Sequence, residues 1–290
     1  MKVSGFSFIR NAVKYDYPIT EAVRSVLPLC DEFVIAVGKS DDGTLQLIRN
    51  IGSPKIRIIE TLWDDAKRTG GAVLAEETNK ALRAVATDSD WAFYIQGDEI
   101  LHEQYLDTVK DAMLRWKDAR KVDGLLFNYR HFYGSYDYVA VSPHWYRKEI
   151  RIVRPQGNIY SYRDAQGFRK DNNRKLSVKS VDACIHHYGW VKHPQYMRQK
   201  VENFVRLYHD DRWLQLHLPA ADEFDYSGID LLTRFKDTHP EVMRERIART
   251  NWFFDHDLSK TNLSWKYKLK MWVEKRTGYL IFEYKNYRTI

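Results

Sequence analysis

Four apolar runs separated by three segments of helical periodicity fill the first hundred residues, and few architectures accommodate that alternation. The runs are Gly5–Arg10, Phe33–Val37, Ile56–Ile59 and Trp91–Ile95. Between the first two, Ile19, Ala22, Val23, Val26 and Leu27 recur at helical spacing. Asp42-Gly43-Thr44 opens a second helix, and Val73–Ala86 forms a third. Strands joined through helices make βαβ units, which predicts an α/β fold with a mostly parallel sheet flanked by helices. Sheets of this kind bind ligands beyond the carboxyl ends of their strands. That rule puts Gln96-Gly97-Asp98-Glu99, directly after the fourth run, at the mouth of a site.

The pattern changes after an amphipathic helix carrying Leu101, Tyr105, Val109, Ala112, Met113 and Trp116. Gly124–Tyr129, Ile150–Val153 and Val181–Ile185 read as strands without clear helices between them, and the stretch from Tyr129 to Tyr146 is crowded with aromatic rings. From Pro194 the chain turns helical, with Met197, Val201, Phe204, Val205 and Tyr208 on one face. No repeat and no Pro/Gly/Ser linker is visible. The expected organisation is an α/β domain over residues 1–205 and a C-terminal helical extension over 206–290 that ends in a basic, aromatic tail.

Charge and cysteine content narrow the function classes. The formal net charge is +7, yet from Lys260 to Ile290 eight Lys/Arg stand against Glu274 and Glu283, so the rest of the chain is near neutral. A nucleic-acid-binding body is therefore not expected. Cys30 and Cys184 are the only cysteines, which excludes a disulfide scaffold and favours a reducing, cytoplasmic compartment. No stretch approaches the ~18 apolar residues of a membrane span. In the tail, Trp265, Leu269, Trp272 and Val273 line one helix face beside Lys266, Lys268, Lys270, Lys275 and Arg276. Such a helix can make peripheral contact with an anionic membrane, or pack its apolar face on the domain and solvate its charges.

Asp98-Glu99 is the sharpest chemical feature. Carboxylates at a rigid strand end suit a hard divalent cation, and would serve equally as caps for the following helix. His186 and His187 are adjacent, so in a strand they point to opposite faces and one at most can serve a given site. Asp255-His256-Asp257 reads as a solvated helix terminus. Gly70-Gly71 lacks the length and the Lys of a P-loop, neither Cys lies in a CxxC pair, and no nucleophile elbow or dinucleotide fingerprint is present.

The order of Phe6-Ser7-Phe8-Ile9-Arg10-Asn11, Ser40-Asp41-Asp42-Gly43-Thr44, Asn79-Lys80-Ala81-Leu82, Asp90-Trp91 through Gly97-Asp98-Glu99, and His187-Tyr188-Gly189-Trp190-Val191 resembles the GT-A glycosyltransferases, and among them the family 2 enzymes. The resemblance covers roughly residues 3–205. It implies a GT-A-like sheet with a Rossmann-like nucleotide-binding half, and transfer of a hexosyl-type sugar from a nucleotide-sugar donor to a glycan, lipid-linked or other hydroxyl acceptor. Mn²⁺ or Mg²⁺ would bridge the diphosphate. By the same resemblance Asp98 is the metal carboxylate, with Glu99 close by and His187 completing the site. Phe8, Arg10, Asn11, Asp41, Asp42, Gln96 and Gly97 would line the donor-nucleotide pocket, and Lys67 and Arg68 would be available to the diphosphate.

Two departures stand out. Gln96 replaces the first Asp of the DxD-like motif, so the metal site carries less charge, and Gly38-Lys39 stand where the family often has an Asp that contacts the base. Inverting transfer needs a base for the acceptor hydroxyl. Asp164, in Tyr162-Arg163-Asp164-Ala165-Gln166-Gly167, is the first choice and Glu149 the second. Phe132 and Tyr133 would form an acceptor platform, or simply pack a tyrosine-rich sheet. The resulting expectation is a metal-dependent, inverting glycosyltransferase of cell-surface polysaccharide biosynthesis. Its rivals are a non-catalytic carbohydrate-binding or scaffolding protein on the same fold, and a nucleotidyltransferase.

Overall fold

Strands covered on both faces read as unbroken apolar runs, and each run alternates its side chains between two cores. Phe33, Ile35 and Val37 join one core with Trp91, Phe93 and Ile95, while Val34 and Ala36 join the other with Ala92 and Tyr94. The computed structural model describes every residue except 68, 156–157, 218–220 and 279–283. Its elements begin β1 (Val3–Ile9), α1 (Ile19–Val26), β2 (Glu32–Gly38), α2 (Thr44–Arg49), β3 (Ile56–Thr61), α3 (Ala72–Arg83), β4 (Trp91–Tyr94), β5 (Glu99–Leu101) and α4 (Leu106–Trp116). They continue with β6 (Gly124–Tyr133), β7 (Ser135–Ala140), β8 (Lys148–Val153), β9 (Ile159–Ser161), β10 (Phe168–Lys170), β11 (Arg174–Lys175) and β12 (Ser177–Trp190). Last come α5 (Pro194–Arg206), α6 (Asp211–His217), β13 (Leu232–Arg234), α7 (Arg244–Ala248), α8 (Trp265–Thr277) and β14 (Arg288–Thr289).

The strands β3, β2, β1 and β4 lie side by side and all parallel, as the alternation predicts, and form the Rossmann-like half that the resemblance implies. Next comes β8, antiparallel to β4; then β6, antiparallel to β8; then β12, parallel to β6. Within this run only β8 opposes the common direction, so the α/β class and the mostly parallel sheet both hold. The helices α1 and α4 cover one face through Ile19, Ala22, Val23, Val109 and Met113, and α3 covers the other through Ala81 and Leu82. The carboxyl ends of β1, β4, β6 and β12 consequently share one edge, and β5 pairs antiparallel with β12 there, aligning His187 with Glu99.

A small separate sheet, β9–β10–β11, carries the loop Tyr162–Gly167 at its first turn. Residues beyond 205 fold back onto the sheet. β13 adds to β7 and β14 adds to the start of β12. Met243 is buried beside Phe132 and Tyr188, and Arg246 pairs with Asp16 at 2.5 Å and Glu21 at 2.9 Å. The tail helix α8 is tethered by a two-pronged Arg147–Glu274 pair, while Trp265, Leu269 and Trp272 are 70%, 49% and 56% exposed. Among the described residues no helix is long and apolar enough to cross a membrane.

Candidate active site at the carboxyl edge of the sheet

A cavity of about 660 Å³ opens where β1, β4 and β12 end. Phe8, Arg10 and Asn11 reach it from β1, Gln96, Gly97 and Asp98 from the end of β4, and His187, Gly189 and Trp190 from β12. Asp164 enters from the β9–β10 loop, and Lys200 from α5. The β5–β12 register explains the meeting of Asp98 and His187: Tyr188 N–H donates to the Asp98 carbonyl at 2.8 Å, and His187 Nε2 stands 3.8 Å from Asp98 Oδ1.

Adjacent acids have opposite fates here. Burial alone would raise the Asp98 carboxyl, but Lys200 foremost, with His187 and Lys192, outweighs it and holds it well below the usual carboxylate range. Glu99 is wholly buried, and both its oxygens are taken. Arg151 donates to them at 2.6 and 2.8 Å, Tyr129 Oη–H at 2.9 Å, and the Gln96 backbone N–H at 3.1 Å. Glu99 thus locks β8 to the start of β5 and does not line the cavity.

The imidazole of His187 is oriented by a second histidine. The Tyr146 carbonyl can only accept, so His131 donates to it from Nε2 at 2.6 Å and accepts at Nδ1 from His187 Nδ1–H at 3.0 Å. Burial pushes His131 down to about 3 and His187 to about 4, so both rings are neutral at pH 7. The Nε2 lone pair of His187 then faces Asp98. A Cβ at Gly189 would stand 2.6 Å from His187 Nε2 and 2.8 Å from Asp98 Oδ2, so the bare glycine keeps the space between these donors open.

Among the described residues no cluster of three or more His, Cys, Asp or Glu with metal-binding geometry forms. Two protein donors, an ionised carboxylate and a neutral imidazole, nonetheless suit a hard divalent ion that takes its other ligands from phosphate oxygens and water. The residues present fit such an ion as a two-donor site.

The side of the cavity where β1 ends is aromatic. Phe8 lies 5.9 Å from the Trp63 ring, and the Arg10 guanidinium lies 5.5 Å over that ring while pairing with Asp65 at 2.5 Å. The indole of Trp63 packs on Gly38, where a Cβ would approach its Nε1 to 2.4 Å. The side chain missing at position 38 is therefore replaced in space by Trp63. Asn11, itself at φ 54, accepts at Oδ1 from the Asp41 N–H at 3.2 Å. Asp41 and Asp42 do not line the cavity. Asp41 pairs with Lys14 at 2.8 Å, and Asp42 accepts from the Thr44 N–H at 2.9 Å in the turn that leads into α2. Lys67 is an exposed surface residue paired with Glu76 at 2.5 Å, and Arg68 lies outside the described residues.

Asp164 sits between Arg163 and Ala165, both in the left-handed region at φ 55 and 61, a costly backbone that aims the side chain into the cavity. Its Oδ2 accepts from Tyr208 Oη–H at 2.8 Å, and its Oδ1 is buried with no partner among the described residues. Glu149 lies in a smaller cavity of about 150 Å³ that shares Gln96, Tyr146 and Gln166 with the main one. Burial pushes its carboxyl up to about 8 against the pull of Arg151, so at neutral pH it holds a proton rather than taking one.

The expected acceptor platform is not brought to the cavity. Phe132 stacks on Tyr188 at 4.6 Å inside a buried cluster, and Tyr133 is buried against Trp190 at 5.9 Å. The aromatic rings that do line the cavity include Tyr17, Tyr146 and Trp190. Asp255 and Asp257 take up Tyr138 and Ser259 in an irregular segment, away from the cavity. Sequence reasoning also missed Trp63, His131, Arg151, Lys192 and Lys200. One signal was available for Lys200: it falls between Met197 and Val201 on the apolar face of its helix.

No protein-family model matches the chain, and no curated protein matches it. Similar solved structures include S. aureus TarS, at 16% identity and a TM-score of 0.41 over 77% of this chain and 41% of that one. The M. tuberculosis glucosyl-3-phosphoglycerate synthase in complex with Mn²⁺, UDP and phosphoglyceric acid is similar at 18% identity and a TM-score of 0.31, over 46% and 43%. The Anaerococcus prevotii 4-diphosphocytidyl-2C-methyl-D-erythritol synthase is similar at 14% identity and a TM-score of 0.39, over 74% and 96%. The chain spans less than half the length of the first two.

Proposed function

We propose that the protein is a nucleotide-sugar-dependent glycosyltransferase that moves a hexosyl group to an acceptor hydroxyl with inversion. The observation that supports this most is one cavity, at the carboxyl edge of a Rossmann-like half, that brings Asp98 and His187 together with Asp164, whose Oδ1 has no partner among the described residues. The base lies against Phe8 and Trp63, with Arg10 and Asn11 at the edge of the pocket. Asp98 and His187 Nε2 would hold Mn²⁺ or Mg²⁺, which when bound neutralises charge on the leaving diphosphate.

Asp164 Oδ1 takes the proton of the acceptor hydroxyl as its oxygen forms the bond to the anomeric carbon and the bond from that carbon to the diphosphate oxygen breaks. Tyr208, donating to Oδ2, fixes the carboxylate and leaves Oδ1 without a hydrogen-bond partner among the described residues. Trp190 and Tyr146 replace Phe132 and Tyr133 as the rings available to a sugar face. The exposed aromatic stripe of α8, beside its lysines, supplies peripheral contact with an anionic membrane, where a lipid-linked acceptor would be met.

The test is a product assay with a panel of nucleotide sugars. Release of nucleoside diphosphate, lost in Asp164→Asn while nucleotide binding is retained, supports the proposal. Release of pyrophosphate from a nucleoside triphosphate would identify a nucleotidyltransferase instead. Nucleotide binding without release from any donor would identify a binding protein.

A further inference from the structure

Lys200 is an ammonium seated where a cation is wanted. Its side chain is only 14% exposed, and Nζ donates to Asp98 Oδ2 at 3.0 Å and to the Gly189 carbonyl at 2.7 Å. It also lies 5.0 Å over the Tyr17 ring, and Nζ of Lys192 lies over the same ring at 4.7 Å. Lys192 is fully buried, and its Nζ donates to the Asp16 carbonyl. The neighbouring acid gives neither lysine a counter-charge, because Glu99 is consumed by Arg151.

A divalent ion approaching Asp98 therefore meets an oxygen that already accepts from an ammonium. Like charges at this separation in a water-poor pocket oppose each other strongly. A diphosphate reverses the balance, because its oxygens can ligate the ion and accept from a displaced ammonium at the same time. Lysine suits such a move, being a point charge on a flexible four-carbon stem. Its own helix already lines the donor cavity through Asn203 and Phe204.

We infer that Lys200 is a counter-ion that keeps Asp98 closed to a divalent cation until a nucleoside diphosphate arrives, so that metal and nucleotide enter as a coupled pair. The inference rests on the donor-site reading above. Linkage makes the coupling reciprocal: the factor by which nucleotide tightens metal equals the factor by which metal tightens nucleotide. Lys200 is a positioning residue in this scheme, acting through Asp98.

The experiment is a Mn²⁺ titration followed by the electron paramagnetic resonance of the free ion, alone and with UDP, GDP, CDP or dTDP. It is run on wild type, Lys200→Met, Lys200→Arg and Asp98→Asn, each checked for an unchanged fold by circular dichroism. Wild type should bind Mn²⁺ weakly until one of the nucleotides is added. Lys200→Met should bind Mn²⁺ alone at least about tenfold tighter, and its nucleotide–metal coupling should fall by a similar factor. Lys200→Arg, which keeps the charge, should behave as wild type, and Asp98→Asn should abolish Mn²⁺ binding.

Equal Mn²⁺ affinity in wild type and Lys200→Met overturns the inference. So does a wild type that binds Mn²⁺ alone as tightly as with nucleotide, a result that needs no variant to fold. A nucleotide response without a Lys200 effect overturns the coupling alone, whereas no response to any of the four nucleotides overturns both the coupling and the transferase reading.

Discussion

Glu149→Gln separates the cost of burying a charge from every other property of that side chain. Glu149 is 7% exposed, its Oε2 meets no partner among the described residues, and burial moves its carboxyl from 4.5 to about 8. Between those two values the folded protein keeps a proton that the unfolded chain has released, so stability falls as pH rises through that window. A window about 3.5 pH units wide, at about 1.36 kcal/mol per unit, amounts to the order of 5 kcal/mol by pH 8. Glutamine preserves the shape and cannot ionise. The stability of Glu149→Gln relative to wild type should therefore increase from pH 4.5 to pH 8 by a few kcal/mol, with every other titrating group cancelling in the difference. Urea unfolding curves for both proteins at several pH values in this range supply the test. Two stability profiles that stay parallel across it would refute the assignment of a buried, protonated Glu149.

Further outcomes follow from the same geometry. Arg151→Met should destabilise by about 3–5 kcal/mol, because it strands the Glu99 charge in the core; the double variant with Glu99→Gln should recover most of the loss, and denaturant melts measure both. Asp164→Asn should lower kcat by roughly 10²–10⁴-fold while nucleotide affinity, read by calorimetry, changes little. Trp63→Ala should weaken nucleoside diphosphate binding by about threefold to tenfold, the worth of one lost aromatic stacking partner, with circular dichroism unchanged. Sedimentation with anionic vesicles at low salt should retain the wild type and release the triple variant Trp265→Ala, Leu269→Ala, Trp272→Ala; equal retention of both would remove α8 from the membrane proposal.

The parallel half was legible because strands buried on both faces leave unbroken runs such as Phe33–Val37, and because the residue after such a strand must stand at the sheet edge. That logic located Gln96, Gly97 and Asp98. It could not tell Asp98 from Glu99, since the difference is set by β12 pairing across from β5 about ninety residues later. Phe132 and Tyr133 were misread for a similar reason. Their burial depends on Tyr188 and Trp190 on β12 and on the residues after 205 that cover them. Arg151 carried a local sign of its own: a lone cation inside the run Ile150–Val153 needs a buried counter-charge, though nothing nearby in sequence identifies Glu99 as that partner. Lys200 needed the tertiary structure outright, since only the docking of α5 brings its ammonium to Asp98.

The opposed fates of Asp98 and Glu99 bear on how such a pocket can be re-engineered. One step along this backbone takes a carboxylate from the pocket wall into a sealed ion pair, so a donor cannot be slid along the chain to suit another ligand. A Cβ at position 97 would come within 2.9 Å of Ile9 Cδ1, so a side chain there requires Ile9 to shift. Gln96 borders both the main cavity and the smaller one that holds Glu149. It is the position in this segment from which the charge of the pocket can be altered without dismantling the wall behind it, and a library aimed at new donors would begin there.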